Sequence, residues 1–439
     1  MIKPELIRNF VDQKCQNFGP NKRQEITRLI YEISKRENLV YSDLLKEFSL
    51  SKAPFPYFKD NLIQRRFPNI SSIRQKNRLR LAKLDIDRAH KVSIKSSLKF
   101  YPKDIFIEKT VEQSLLARRV KRLFPESHFQ TIGSYKDCVN DKNFTLKDYN
   151  QRLRNLFIVK ESFDHLKKCP CSLRAVSCGY HILNLGFGCP YECTYCYLQD
   201  YINSPGIVLP ANIEDFFQAA SGIKRKMRLG SGEFTDSLVF DPITRYSQEI
   251  VEFFRRKPQV TFEFKTKSTN IDLLLKTQPA KNIVISWSVN PESIACENEF
   301  YAPSVGERLQ AAQHCENAGY KIGFHFDPII KTRTWENDYR QLVDRIFDSV
   351  DAKNIAWISL GTLRLRPSLK KAIENRFPDN SILNEELYVG FDDKLRYDDK
   401  IRQEIYGKMN DWITKRSRKV WVYLCMEERF IRNQWRKTE

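Results

Sequence analysis

From residue 180 onward the chain alternates short apolar runs with longer amphipathic stretches. Strand-like runs fall at 180–185, 227–230, 260–264, 283–289, 321–326 and 355–360, and helical stretches at 213–226, 243–256, 271–275, 306–318 and 336–349 lie between them. Strand followed by helix, repeated with short links, calls for parallel strands joined by right-handed crossovers. Six such units predict an α/β fold, a partial, open (β/α)6 barrel whose ligands gather at the C-terminal ends of the strands. The first 95 residues have a different texture, with no strand signal. Ile26, Leu29, Ile30 and Ile33 recur at helical spacing within 21–36. A second helix is predicted to start at Ser42, with Glu47 two positions late for a strict capping box, and a third to run over 54–66 and stop at Pro68. At Asp104 the texture changes again, with Ile105-Phe106-Ile107 as a first strand. The predicted division is a basic helical module over 1–95, either helix-turn-helix-like or a helical cap, and a barrel domain with a C-terminal extension over 96–439.

Charge adds a partner to this picture. The 439 residues carry a net charge of +20, and residues 51–100 hold 13 Lys and Arg against 3 Asp and Glu, half of the total. A charge run can be a solvated face, but clustering of this kind points to a polyanion, here a nucleic acid. No apolar run is long enough to cross a bilayer, and the sequence Met-Ile-Lys-Pro-Glu-Leu-Ile-Arg carries no apolar core of a signal peptide, so a cytoplasmic protein with no membrane partner is expected. In that setting eleven cysteines read as thiols and metal ligands, not as a disulfide framework.

Three of those cysteines name a chemistry. Cys189, Cys193 and Cys196 stand in a C-x3-C-x2-C run that follows Gly186-Phe187-Gly188, in the loop after the first barrel strand. Zinc sites usually draw on two separated ligand pairs, and a ferredoxin cluster needs four cysteines. Three thiolates in one loop suit a 4Fe-4S cluster with one iron open to an outside ligand. The alternatives are three buried structural cysteines or a degenerate zinc knuckle. Beyond the second strand, Gly230-Ser231-Gly232-Glu233 offers small residues for close backbone approach and a carboxylate for an ammonium group, or else a tight turn with a solvated Glu. Lys267 follows the third strand, Ser288 and Asn290 stand at the end of the fourth, and His325 and Asp327 at the end of the fifth. A lone His at a strand end is more often packed than a ligand.

From about residue 104 to 433 the chain resembles the spore photoproduct lyase family of radical S-adenosylmethionine (SAM) enzymes. The resemblance rests on the cysteine run with Tyr195-Cys196-Tyr197-Leu198-Gln199, on Thr235-Asp236, Thr266-Lys267 and Ser288-Val289-Asn290, on Glu307-Arg308 with Ala311-Ala312, and on Ala318-Gly319-Tyr320. It implies a radical SAM barrel, a 4Fe-4S cluster on Cys189, Cys193 and Cys196, and SAM bound beside it. Ser231, Glu233, Lys267, Ser288 and Asn290 would contact the cofactor, and Tyr195 and Tyr197 would line the radical site. It further implies a DNA substrate carrying a damaged or modified pyrimidine, and an electron donor such as flavodoxin or ferredoxin. One departure stands out. In the lyase proper a cysteine at the end of the second strand donates a hydrogen atom to the product radical, and Glu233 occupies that place. A carboxylate O–H bond is too strong for that task, so the chain resembles a lyase-like branch. Cys425 is then a candidate donor, or a core residue of a short strand over 422–424. Cys169, Cys171 and Cys178, with Cys138, are candidate ligands of a second metal or packed thiols. The functional alternatives are a radical SAM enzyme with a non-repair substrate and a nucleic-acid-binding protein with a structural cluster.

Overall fold

The computed structural model describes residues 3–46, 54–140, 143–163, 165–171, 175–201 and 203–436. The chain divides into two compact units. One comprises residues 1–92, 331–333 and 364–402, the other residues 93–330, 334–363 and 403–439.

The larger unit holds the barrel. Its seven parallel strands are Tyr180–Leu183 (β1), Met227–Ser231 (β2), Val260–Thr266 (β3), Ile283–Ser288 (β4), Lys321–Ile329 (β5), Ile355–Thr362 (β6) and Val422–Leu424 (β7). They lie side by side in chain order, and a short strand Lys167–Lys168 pairs antiparallel with β1 at the far edge. β7 and Lys167–Lys168 are opposite edges, so the sheet curls as an open half barrel and does not close. Parallel neighbours need crossovers, supplied here by Ile213–Ser221, Tyr246–Arg255, Val305–Asn317 and Trp335–Ser349 among others. The inner strands are covered on both faces, and β4 buries all six of its residues, which is why they read as unbroken apolar runs. The helix foreseen over 243–256 is broken at Arg245, whose φ of 61° separates Asp241–Thr244 from Tyr246–Arg255. A second parallel sheet, in the order His128–Ile132, Asp104–Glu108, Asn155–Val159 and Ile207–Pro210, shows only its 105–107 strand in the sequence pattern. Its last strand comes from inside the β1–β2 link, so no local period announces it.

The smaller unit packs helices Pro4–Lys14, Pro20–Glu37, Tyr41–Lys46 and Phe55–Arg66 around Ile7, Val11, Ile26, Leu29, Ile30, Ile33, Leu62 and Ile63. Ser42 lies inside the third helix and Glu47 falls outside the described residues. This unit is not made from the N-terminal chain alone. Arg28 meets Glu374 at 2.5 Å, and Glu32 accepts Lys370 at 2.7 Å and Arg66 at 2.9 Å, all of them buried or nearly so. Burial by itself would raise the Glu32 carboxyl. Lys370, Arg66 and Arg28 outweigh it and hold Glu32 well below the usual carboxylate range. A module cut at residue 95 therefore omits 364–402, which supplies the countercharges.

Candidate active site

The cysteine loop is fixed from several sides. Gly188 has φ +91°, and a Cβ there would stand 2.7 Å from Ile207 Cδ1, so only glycine fits. Glu192–Cys193 pairs antiparallel with Glu299–Phe300, and Thr194 N–H donates to the Asn298 carbonyl at 2.8 Å. Gln199 Nε2 folds the loop on itself by donating to the carbonyls of Thr194 at 2.7 Å and Cys196 at 2.9 Å. Beneath the loop lies Arg152, 2% exposed. Its guanidinium donates to the carbonyls of Cys189 at 3.0 Å and Tyr191 at 3.2 Å and pairs with Glu192 at 2.6 Å. Arg152 is absent from the sequence-based set because nothing near it in the chain marks it.

Cys193 is buried and Cys189 and Cys196 are half-buried. Burial raises all three thiols; the Cys189 sulfur feels both others, and Lys267 pulls Cys193 and Cys196 back down. Among the described residues no three His, Cys, Asp or Glu side chains close on one point as ligands of a single ion would. An iron–sulfur cluster takes each thiolate on a different iron, which sets its cysteines apart. Three thiols in one shielded loop beside a lysine fit that group.

Asp236 connects the ends of β2 and β3. One carboxylate oxygen accepts Thr266 Oγ1 at 2.6 Å and the other accepts the Lys267 N–H at 2.6 Å. The Lys267 ammonium lies 5.6 Å from the centre of the Tyr195 ring. Burial pulls it down, but Glu299 and Cys193 outweigh burial and raise it, so it stays a cation. Tyr195 donates to Glu299, and Glu299 pairs with Arg308 at 2.5 Å. Asn290, expected to face the cofactor, has its amide engaged within the protein: Nδ2 donates to Glu299 at 3.0 Å and Oδ1 accepts Tyr339 Oη at 2.7 Å. Glu299 carried no signal in the sequence, and Arg308 appeared only inside the Glu307-Arg308 match.

The β2 end is less committed. Ser231 Oγ and Thr235 Oγ1 are buried without a hydrogen-bond partner, the condition of polar atoms that await a ligand. Gly232, with φ +112°, makes the turn. Glu233 carries a Lys167 ammonium at 3.1 Å, and its carbonyl accepts the Tyr197 hydroxyl. Tyr197 is 40% exposed and packs edge-on to Tyr201 at 5.9 Å. Ser288 is buried, with its carbonyl held by Arg308 at 3.1 Å.

His325 lies inside β5. Its Nε2 meets Glu263 at 2.7 Å and its Nδ1 meets Ser359 at 2.6 Å. Burial, then Lys265, lowers it from 6.5 to about 4, so the neutral ring donates from Nε2 and accepts at Nδ1. Glu263 also pairs with Arg228 at 2.8 Å, whose guanidinium sits 3.8 Å from the Trp357 ring centre. This buried layer is structural. Cys138 packs against Phe157, Val159 and Val208 in the four-stranded sheet.

A sequence model of the family described as spore photoproduct lyase matches residues 167–416, the span from the β1 edge to the last crossover. The chain belongs to the spore photoproduct lyase family. This family places it in the radical SAM superfamily. The spore photoproduct lyase of Clostridium acetobutylicum is 26% identical over 227 residues, 50% of this chain and 63% of the relative. That of Bacillus subtilis is 27% identical over 211 residues, 45% of this chain and 61% of the relative. The chain thus spans about three fifths of the length of these two relatives. A solved spore photoproduct lyase complexed with dinucleoside spore photoproduct superposes with a TM-score of 0.64 at 22% identity, covering 74% of this chain and 99% of that one, and shares the fold. Among the described residues no helix is long and apolar enough to cross a membrane.

Proposed function

We propose that this protein is a radical SAM lyase acting on a damaged or modified pyrimidine in DNA. The observation that carries the reading is the cysteine loop held over the C-terminal ends of parallel strands, with Lys267, Ser231 and Tyr197 around it. Cys189, Cys193 and Cys196 would hold a 4Fe-4S cluster, and Ser231, Glu233, Lys267 and Ser288 would hold SAM. Bound there, the cluster and SAM would supply the chemistry of reductive SAM cleavage to a radical. Asn290 positions Tyr195 and Glu299, and Tyr197 is the exposed phenol facing the substrate side. An external electron donor of the flavodoxin or ferredoxin kind would reduce the cluster. The relatives' names and the dinucleoside spore photoproduct bound by a solved relative support the substrate class.

Glu233 favours a second reading, a lyase-like enzyme with a different substrate. A carboxylate paired with Lys167 at 3.1 Å cannot serve as a hydrogen-atom donor. Incubating reduced enzyme and SAM with ultraviolet-irradiated DNA, followed by mass analysis of nucleosides, separates the two. Restored thymidine with 5′-deoxyadenosine supports repair. 5′-Deoxyadenosine with unchanged DNA points to the other substrate.

A further inference from the structure

We propose, on the strength of the radical SAM reading, that the basic-rimmed apolar cleft at the start of the cysteine loop is the docking surface of an acidic carrier protein that delivers one electron to the cluster. Pro190 and Tyr191, the two residues after Cys189, form one wall of a cleft of about 410 Å³. Its other walls are the 98–101 segment, Leu123 and Phe124, the turn at 239–243, and Tyr301. None of Ser231, Glu233 and Tyr197 lines it, so the cleft meets the loop apart from the residues assigned to cofactor and substrate.

The cleft is built before any partner arrives. Phe100 packs edge-on to Phe240 at 5.2 Å and to Phe124 at 6.2 Å, and Tyr101 packs edge-on to Phe124 at 5.3 Å. Helix Leu115–Leu123 is fastened to the 241–244 turn by Arg119, which donates to the carbonyls of Ile243 at 3.0 Å and Thr244. The Tyr301 hydroxyl accepts the Lys95 N–H at 2.8 Å. A surface already held in place loses little freedom on binding.

Composition selects the occupant. Helix Leu115–Leu123 holds Arg118, Arg119, Lys121 and Arg122 and no acid. Arg118, Arg122 and Lys99 are exposed and have no ion pair among the described residues, while Lys121 meets Glu112 at 3.6 Å. Beside these cations Leu115, Leu123 and Tyr101 also stand exposed. A DNA backbone would use the cations but has nothing to offer the leucines, whereas an aromatic and aliphatic centre inside a charged rim is the anatomy of a protein interface. The sign of the rim calls for an acidic partner, and the contact with the residues after Cys189 calls for one that carries an electron. One electron passes from the carrier's reduced flavin or iron–sulfur centre to the cluster. The carrier is oxidised by one electron, the cluster is reduced by one, and no bond forms or breaks in that step.

The test uses an oxidised flavodoxin with an acidic surface as the probe, its binding to the reconstituted full chain followed by flavin fluorescence. The wild type should bind with a Kd that rises with salt. Changing Lys99, Arg118 and Arg122 together to Glu should raise that Kd by about tenfold or more and flatten the salt dependence, with the iron–sulfur absorbance and dithionite-driven 5′-deoxyadenosine release unchanged. In the wild-type complex a carbodiimide should join carrier carboxylates to Lys99 or Lys121, read by mass spectrometry, so the answer does not depend on a variant that folds. No binding by the wild type, unchanged binding by the triple variant, or cross-links confined to other lysines overturns the docking face. So does a triple variant that loses affinity for a DNA duplex but keeps it for the carrier, which assigns the cations to phosphates. Wild-type protein that releases no 5′-deoxyadenosine even with dithionite overturns the radical SAM reading, and the docking face with it.

Discussion

At the scale of single residues, the chemistry depends on a few side chains whose neighbours set their roles. Each of Cys189, Cys193 and Cys196 is one of three thiols in its loop, so changing any one to Ala should abolish both the iron–sulfur absorbance and 5′-deoxyadenosine release. A variant that keeps either result would overturn the assignment of the loop. Glu233 is more ambiguous in kind, because a carboxylate can serve SAM or Lys167. If it carries the SAM ammonium, Glu233→Gln weakens SAM binding by about 1–3 kcal/mol, the scale of a hydrogen bond to a charged group. Equilibrium binding to the reconstituted protein measures this, and an unchanged affinity would confine Glu233 to its pair with Lys167. The run of small residues before it was legible in the sequence. Its partner was not, since Lys167 precedes it by 66 positions on an edge strand too short to leave a pattern.

At the scale of elements, the loop and the strands are held by buried charge. Arg152 lies in a 3-10 turn, Arg152–Arg154, and reaches the cysteine loop some 40 residues later through Glu192. Arg152→Met leaves Glu192 buried and uncompensated, so unfolding free energy should drop by about 3–5 kcal/mol, read as a lower denaturant midpoint with the cluster site disordered. The His325 layer predicts a pH dependence. Its folded value of about 4 is below its ordinary 6.5, so between those values the unfolded chain binds more protons. Stability is then complete above about 6.5 and falls as pH drops towards 4. Glu263, whose burial is outweighed by Arg228 and His325 so that it is held low, extends the loss further into acid. Urea unfolding at about pH 7 and about pH 5 should show the difference, and His325→Gln should remove most of it. Equal midpoints for the wild type would mean that His325 is charged in the fold.

At the scale of the whole molecule, the basic charge is partly spent inside its own unit. Arg65 pairs with Glu37 at 2.7 Å, Arg66 with Glu32 at 2.9 Å, and Lys76 with Asp60 at 3.1 Å. Arg74, Arg80 and Lys83 are exposed and are the better candidates for binding phosphates. If they serve DNA, changing all three to Gln should flatten the log–log salt dependence of binding by about 0.9 for each phosphate no longer neutralised, with SAM cleavage on its own unaffected. An unchanged slope would leave the segment as a solvated surface. Deleting residues 1–95 would not test this contact, because Glu374 and Lys370 would lose Arg28 and Glu32.

The sequence determined whatever repeats or clusters locally. The strand–helix period announced the half barrel because both faces of its inner strands are covered. The helical spacing of Ile26, Leu29, Ile30 and Ile33 is a stripe on one helix, and the cysteine run lies within eight residues. The tertiary structure alone decided which distant groups meet. It brought Glu299 and Arg308 to Tyr195, Arg152 to the cysteine loop, and residues 364–402 to the N-terminal helices. Hydrophobic period is a property of one segment against a generic interior. Pairing of charges and thiols depends on which strand ends the topology makes adjacent, and no local pattern encodes that.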